Sequence, residues 1–464
     1  MSAPVQPASA TTSGSATLPI ASAGTLLSMV AFTDPLSTVP SLARSLHAGP
    51  AAQSWVLSSM SLGLAAALLV TGALGDDYGR RRMFVSGAAI LAAGSLLSAV
   101  SPGAVLFVVG RLIQGLGAAA VVSCSLALIS HAYPPGPGRT RASGMWGASL
   151  GAGIALGPVL GAGSEQVSHW RIGPIVVAGL TAVLAVAGRS RLAESTSGHS
   201  RPVDLAGSAL LGTGLAALVA ALTQGRQGWT RPSELALIVA AVVLLGAFLA
   251  HQRTARHAML DLSLFGRPAL RSTTIAAVVC GAGIIALMSF MCTMLERGLG
   301  RSPLAAALIL VVWSATSVVT ALLTRRLPAR IPGFLRLSVS LVIIAAGMGA
   351  LAELSTGSGL WLLVPGLLVA GAGSGLLNAT LGREAVASVP AERAGMGSGI
   401  NNTARYVGSA IGVTIVTVIA VRPSTHPQRD LVAGWNTAAI VCAAVSLVGG
   451  VVVWLCHHGE QRAA

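Results

Sequence analysis

The chemistry of this chain has to be argued from Asp34 outward. Of the fourteen acidic residues, thirteen fall between apolar stretches, at their ends or in the tails; Asp34 alone stands well within one, in Thr33-Asp34-Pro35. A carboxyl group withdrawn from water can trade a proton near neutral pH, and an ionisable group at membrane depth marks a transport path or a proton relay. Arg111 is the matching cation, several residues inside another apolar stretch, where a guanidinium needs a polar cavity or a partner. At 1.5 Å per residue Asp34 lies about 12 Å from the far end of its stretch. Arg111 enters to a similar depth, so the two can pair when no proton is bound. Two plainer readings stand beside this one: Asp34 as a local cap in a proline-kinked helix, and Arg111 as a snorkelling side chain.

Four other groups of residues have chemical potential. Gly72-Ala-Leu-Gly-Asp76-Asp77-Tyr-Gly79-Arg80-Arg81-Arg82 places a carboxylate beside three guanidinium groups in a short glycine-bounded turn. Asp76 there can accept from an arginine or from a helix N-terminus and so join neighbouring helices; the arginines alone would also suit an ordinary loop at a membrane face. Gln114 and Gly115 follow Arg111 within one turn. Gly147, Gly151, Gly153, Gly157, Pro158 and Gly161 form a small-residue stripe for close helix packing, with a proline kink. Asn401, Asn402 and Arg405 lie within an apolar stretch, where such groups face the interior of a bundle, as cavity lining or as structural glue.

Glu165, Glu296 and Glu353 fall near outer helix ends and read as mouth residues or, more simply, as solvated. Five cysteines stand singly without metal or redox spacing, and His457-His458 is too short for a metal site. No phosphate-binding glycine loop and no nucleophile–base–orienter set is present, so neither ATP-driven transport nor an enzyme is expected.

The elements that must position these residues follow from composition. The chain is 53% hydrophobic and 9% charged, with mean hydropathy +0.77, against about a quarter charged in soluble domains. Continuous apolar windows of about 20 residues predict membrane helices rather than a barrel. They fall at 20–42, 54–75, 83–101, 103–130, 143–163, 171–188, 204–223, 233–251, 271–294, 303–324, 335–353, 359–380, 395–420 and 432–455, fourteen in all. With the N-terminus inside, nineteen arginines lie in inner loops and eight in outer loops; Arg111 and Arg405, within the membrane, complete the 29. That positive-inside bias places both termini in the cytoplasm, and it accounts for the net charge of +15 without nucleic acid. The organisation expected is a disordered N-terminus 1–19, a six-helix bundle 20–188, a linker with two additional helices 189–270, a second six-helix bundle 271–455 and a tail 456–464. Residues 1–19 lack the pattern of a cleaved signal.

The Gly-x-Leu-x-Asp-x-x-Gly-Arg-Arg loop resembles the signature loop of the major facilitator superfamily, in which this aspartate belongs to a conformational latch; Asp77 departs from the usual basic or neutral residue. Arg111-x-x-Gln114-Gly115 resembles the family's second motif, implicated in proton coupling. Gly153-x-x-x-Gly157-Pro158-x-x-Gly161 resembles its antiporter motif, with Ala162 in place of a final glycine. The stretch from Gly399 to Arg405 is similar to a cavity-lining helix of the fourteen-span drug:proton antiporters. In those proteins the first span carries an aspartate about nine residues before its terminal proline, a position held here by Ala31; Asp34 lies one turn further on.

The resemblance covers about residues 20–455 and implies an all-α two-bundle fold with alternating access. It implies a monomeric, multi-pass protein of the cytoplasmic membrane that exports a small lipophilic drug or antibiotic in exchange for protons. Asp34 and Arg111 would be the coupling groups, Gly72, Asp76, Gly79, Arg80 and Arg81 the gating loop, and Gln114, Asn401, Asn402 and Arg405 the cavity lining. No metal or cofactor is called for, the proton gradient being the energy source. A 4% aromatic content and a single deep carboxylate argue against a preference for dications. A proton-coupled importer, an uncoupled facilitator and a non-transporting sensor or scaffold remain open at this point.

Overall fold

A computed structural model describes residues 13–196, 204–225, 231–255, 260–328, 330–421 and 426–461. Arg201, Arg226, Arg256, Arg422 and Arg462, counted above in assigning loops, lie outside them. The described residues form helices and connecting turns, with no strand. In chain order the helices are α1 (Ser13–Thr33), α2 (Val39–Ser45), α3 (Pro50–Tyr78), α4 (Arg80–Val100), α5 (Ala104–Ala132), α6 (Pro137–Val167), α7 (Ile172–Arg191), α8 (Leu205–Gly225) and α9 (Pro232–Thr254). They continue with α10 (Pro268–Cys280), α11 (Ala286–Thr293), α12 (Pro303–Leu323), α13 (Gly333–Gly349), α14 (Leu363–Ala387), α15 (Ala394–Ala420) and α16 (Pro427–Gln461). Two π-helical segments, Gly281–Ile285 and Met294–Gly298, join α10 and α11 into one continuous span, Pro268–Gly298.

Thirteen of the described spans are long and apolar enough to cross a bilayer, and α13, at 17 residues, is the short fourteenth. The surface confirms the solvent: Val105, Val186 and Val242 are 81%, 70% and 68% exposed, a cost in water that vanishes in lipid. Inside, hydroxyls are satisfied on the preceding turn, as in Ser28 Oγ to the Gly24 carbonyl (2.8 Å) and Ser123 Oγ to the Ala119 carbonyl (2.7 Å). With no hydrophobic drive between helices in lipid, close backbone approach takes over. A Cβ on Gly63 would lie 3.0 Å from Gly115 Cα, where α3 crosses α5, and one on Gly94 would lie 2.6 Å from Gln114 N, where α4 crosses α5.

α6 lies between the two halves of the chain, packed on α1 along one face and on α12 and α14 along another. α3 meets α15 across the same divide. α8 packs on α3 and α15, and α9 on α8; only 17% of the α9 window is buried, so this pair lies at the lipid-facing edge. One end of the pair is tied by Asp204, which accepts from the Gly207 N–H (2.7 Å), His251 Nε2 (2.8 Å) and Gln252 Nε2 (2.7 Å).

Three boundaries differ from the expectation. α1 starts at Ser13, inside the segment expected to be disordered, and α16 runs to Gln461, beyond the window ending at 455. The first span does not run unbroken to 42: the α-helix stops at Thr33, a 3-10 turn occupies Asp34–Ser37, and α2 follows. Pro35 supplies the reason, since it has no N–H to donate and disfavours helical geometry at the residue before it, Asp34.

Candidate functional site

The break in the first span puts Asp34 at the head of the 3-10 turn rather than within a continuous helix. Its side chain is buried, at 4% exposure, and Oδ1 has no hydrogen-bond partner among the described residues. The carboxylate faces the first turn of α7, where a Cβ on Gly173 would lie 2.5 Å from Asp34 Oδ1. The α6 stripe lies against its backbone: a Cβ on Gly157 would meet the Asp34 amide nitrogen at 2.8 Å, and one on Gly161 the Asp34 carbonyl at 2.5 Å. Ser37 Oγ donates to the Pro158 carbonyl (2.8 Å), and a Cβ on Gly153 would lie 2.5 Å from the Leu26 carbonyl. The glycine-proline motif is therefore the surface on which the Asp34 turn is seated.

Arg111 is also fully buried, but it does not pair with Asp34 here. Its guanidinium donates to the carbonyls of Ala31 and of Phe32 (3.0 Å), and to Gln114 Oε1 (2.9 Å). Gln114 Nε2 in turn donates to Ser95 Oγ (2.9 Å). Ending α1 at Thr33 leaves the carbonyls of its last turn without intrahelical donors, and Arg111 takes them. The direct pair expected from matching depths assumed an unbroken helix. Gln114, expected as cavity lining, here bridges Arg111 and Ser95.

Asp76, buried in the last turn of α3, accepts from Arg80 Nε (2.9 Å) and from the backbone N–H groups of Gly395 and Met396 (2.9 Å each) at the start of α15. Arg80 Nη2 also donates to the carbonyls of Ala391 and Glu392 (3.3 Å each). Carboxylate, guanidinium and helix N-terminus thus form one charge-assisted junction between α3 and α15. Gly72, one turn before Asp76, is in backbone contact with the Gly395 carbonyl.

Gly79 turns the chain from α3 to α4 at φ +121°, a conformation glycine adopts without steric cost. Glu194, beyond α7, is a partner that sequence reasoning missed. It accepts from the Arg81 N–H (3.0 Å) at the start of α4 and approaches the Arg81 and Arg82 guanidinium groups at 3.5 and 3.6 Å. The only signal for it was a loop with more guanidinium groups than carboxylates to meet them.

Between α1, α6, α11 and α12 lies an apolar cleft walled by Phe32, Thr33, Ile154, Met288, Leu310 and Trp313 among others. Asn401, Asn402 and Arg405, expected as cavity lining, are not among its walls. They are buried on α15, where Asn402 Nδ2 donates to the Ser398 carbonyl (3.0 Å) and Tyr406 stacks edge-on against Phe32 at 5.8 Å. Of the three glutamates read as solvated, Glu353 is exposed, whereas Glu165 accepts from Ser41 Oγ and Glu296 keeps Oε1 buried without a partner. Four cysteines are free and buried, and the described residues hold no cluster of metal-binding side chains.

A bundle of membrane helices with buried charges at the divide between its halves, and a seam of backbone contacts across it, defines a membrane transporter rather than an enzyme. The model of the Major Facilitator Superfamily matches residues 21–413, and the chain belongs to that superfamily. It is 31% identical over 384 residues to the multidrug resistance protein Stp of Mycobacterium tuberculosis, covering 82% of this chain and 70% of that protein. It is 27% identical over 415 residues to the multidrug efflux pump LfrA of Mycolicibacterium smegmatis, covering 89% of this chain and 82% of the pump. Among solved structures, the human organic anion transporter MFSD10 superposes with a TM-score of 0.68 at 16% identity, over 97% of this chain and all of that one, a likeness of fold alone.

Proposed function

We propose that this protein exports a small lipophilic molecule across the cell membrane in exchange for protons, with Asp34 as the proton-carrying group. The observation that carries the reading is the setting of Asp34: a buried carboxylate without a donor, seated in a helix break against the α6 glycines. Protonation there changes the charge at a contact within the first bundle, among α1, α6 and α7. Because α6 also packs on α12 and α14 of the second, this is a route by which a proton can bias the packing of the two bundles. Arg111 holds the turn just before it by the carbonyls and sets its position. The cleft beginning at Phe32 and Thr33 has an apolar lining in keeping with a lipophilic cargo, but it is closed to about 20 Å³ in this state and has to open to admit one. The drug resistance named for Stp and the efflux named for LfrA support the outward direction.

In this reading residues 20–188 and 271–455 rock as two bodies about the cleft, the pair within 189–270 travels at the edge, and both termini are cytoplasmic. Asp76 and Arg80 stabilise the state closed at the cytoplasmic face. The protein acts as a monomer and needs no cofactor beyond the proton gradient.

The test is drug-dependent collapse of an imposed pH gradient in inverted membrane vesicles, read with a pH-sensitive dye. Wild type is expected to release the gradient on addition of a lipophilic drug, and Asp34→Asn to leave it intact. An Asp34→Asn protein that exchanges protons as fast as wild type would remove Asp34 from the coupling step.

A further inference from the structure

The deepest unexplained charge in the molecule is Arg405. Its side chain is 1% exposed, and Nε, Nη1 and Nη2 are all without a hydrogen-bond partner among the described residues. One turn earlier on α15, Asn401 is equally buried and leaves both Oδ1 and Nδ2 unpartnered. Ten residues separate Arg405 from Gly395 at the Asp76 junction, about 15 Å along a helix, roughly half the thickness of a bilayer core. An uncompensated guanidinium at that depth is costly, and an arginine retained there answers to a counter-ion.

Among the described residues no carboxylate pairs with Arg405. Arg111, the other deep cation, is absorbed by the carbonyls of α1 and by Gln114. Arg405 is also held in place: a Cβ on Gly281, opening the π-helical segment after α10, would lie 2.5 Å from Ser409 N, and Gly281 is in backbone contact with the Arg405 carbonyl. Single π-helical turns inside α-helices often mark functional sites.

We infer that Arg405 and Asn401 form the recognition site for an anionic group, a carboxylate or an acidic phenol, on the molecule this protein carries. The inference rests on the transport reading above and narrows its cargo to lipophilic acids. A planar guanidinium presents paired donors that match a carboxylate, and the Asn401 amide offers a further donor beside them.

A second feature points the same way. At the face carrying Asp76, a cavity of about 720 Å³ is lined by Arg139, Arg325, Arg336 and Arg383. Its one carboxylate, Glu384, is already bonded to Arg383 at 2.6 Å. Such a basin concentrates anions at its mouth and repels organic cations. Outward passage of a monoanion against one inward proton moves two charges, so the exchange would respond to membrane potential as well as to pH.

The experiment uses the purified full-length protein in detergent and three probes of one shape: naphthalene-1-acetate, naphthalene-1-acetamide and 1-naphthylethylammonium. Their affinities are measured by titrated thermal shift for wild type, Arg405→Gln and Arg405→Lys. Wild type is expected to bind the acid at least about tenfold more tightly than the amide, a difference of about 1.4 kcal/mol, and the cation most weakly. Arg405→Gln should bring the acid-to-amide ratio close to one without lowering the melting temperature of the free protein, and Arg405→Lys should retain part of the preference. A wild type indifferent to charge, binding all three alike or none, overturns the assignment. So does an Arg405→Gln variant that keeps the preference, or one that melts several degrees lower, since Arg405 would then serve the fold. Acid preference in a protein that exchanges no protons would keep this site while sinking the antiport reading, and gradient collapse without acid preference would do the reverse.

Discussion

The carboxylate of Asp76 accepts the backbone N–H of Gly395 at 2.9 Å across 319 residues of sequence. The contact joins α3 to α15, and its strength comes from three sources at once: the helix N-terminus, the Arg80 guanidinium and the exclusion of water. Asp76→Asn leaves Arg80 buried without its counter-ion, a loss of about 3–5 kcal/mol. Thermal unfolding in detergent should therefore show a marked drop for Asp76→Asn, and Asp76→Asn combined with Arg80→Gln should recover part of it. Additive losses in the double variant would show that the two side chains do not act together.

Contact between α6 and the Asp34 turn is made by glycine, and a side chain has nowhere to go. Gly157→Ala places a methyl group 2.8 Å from both the Asp34 amide nitrogen and the Val30 carbonyl, both backbone atoms that cannot rotate away. Transport by Gly157→Ala should fall at least about tenfold, the rate equivalent of 1.4 kcal/mol, while Gly163→Ala, where a Cβ meets nothing within 4 Å, should transport normally. Drug efflux rates from vesicles with matched protein levels decide it.

Arg111 serves the Ala31 and Phe32 carbonyls and Gln114 Oε1 from one planar group. A lysine ammonium is a point charge without that fork. Losing one charged hydrogen bond costs about 1.5–3 kcal/mol, so Arg111→Lys should lower kcat/KM by roughly tenfold or more. Wild-type kcat/KM in Arg111→Lys would mean that only the charge matters.

The α8–α9 pair carries a pH dependence of its own. Partial burial raises the Asp204 carboxyl, but hydrogen bonds from Gly207, His251 and Gln252 and the charge of His251 outweigh it and hold the group below the usual carboxylate range. A carboxyl depressed in the folded state contributes stability above its unfolded pKa and loses it as the pH falls through the folded value. Acidification into and below the ordinary aspartate range should thus loosen the start of α8 and the end of α9, seen as faster hydrogen exchange around residues 204–212 and 248–255. Asp204→Asn should exchange quickly at every pH.

What could be read in the sequence was whatever repeats locally. Apolar windows of bilayer length locate the spans because lipid imposes one length and one chemistry on each. The signature loop could be recognised because its residues are neighbours in the chain. The Ala31 and Phe32 carbonyls as partners of Arg111 were not legible, because Pro35 ends a helix that hydropathy draws as continuous and frees them. Glu194 could not be found at all: it meets the Arg81 amide from 113 residues away, and nothing in the periodicity of either segment announces the other. The solitude of Arg405 likewise emerges only when every neighbour has been placed.

The glycine faces of α6 have a kinetic consequence. Where helices interlock through large side chains, sliding one past the other demands that rotamers be unpacked and repacked in step. At Gly144 and Gly147 α6 meets the main chain of the second half, at the Ala321 carbonyl of α12 and the Ala379 amide of α14. Gly153, Gly157 and Gly161 seat it on α1 and the Asp34 turn. The face α6 turns to the second half is thus a smooth bearing. The barrier to switching is then set by the few polar clasps at the ends of the helices, and its height can be tuned there without redesigning the axle.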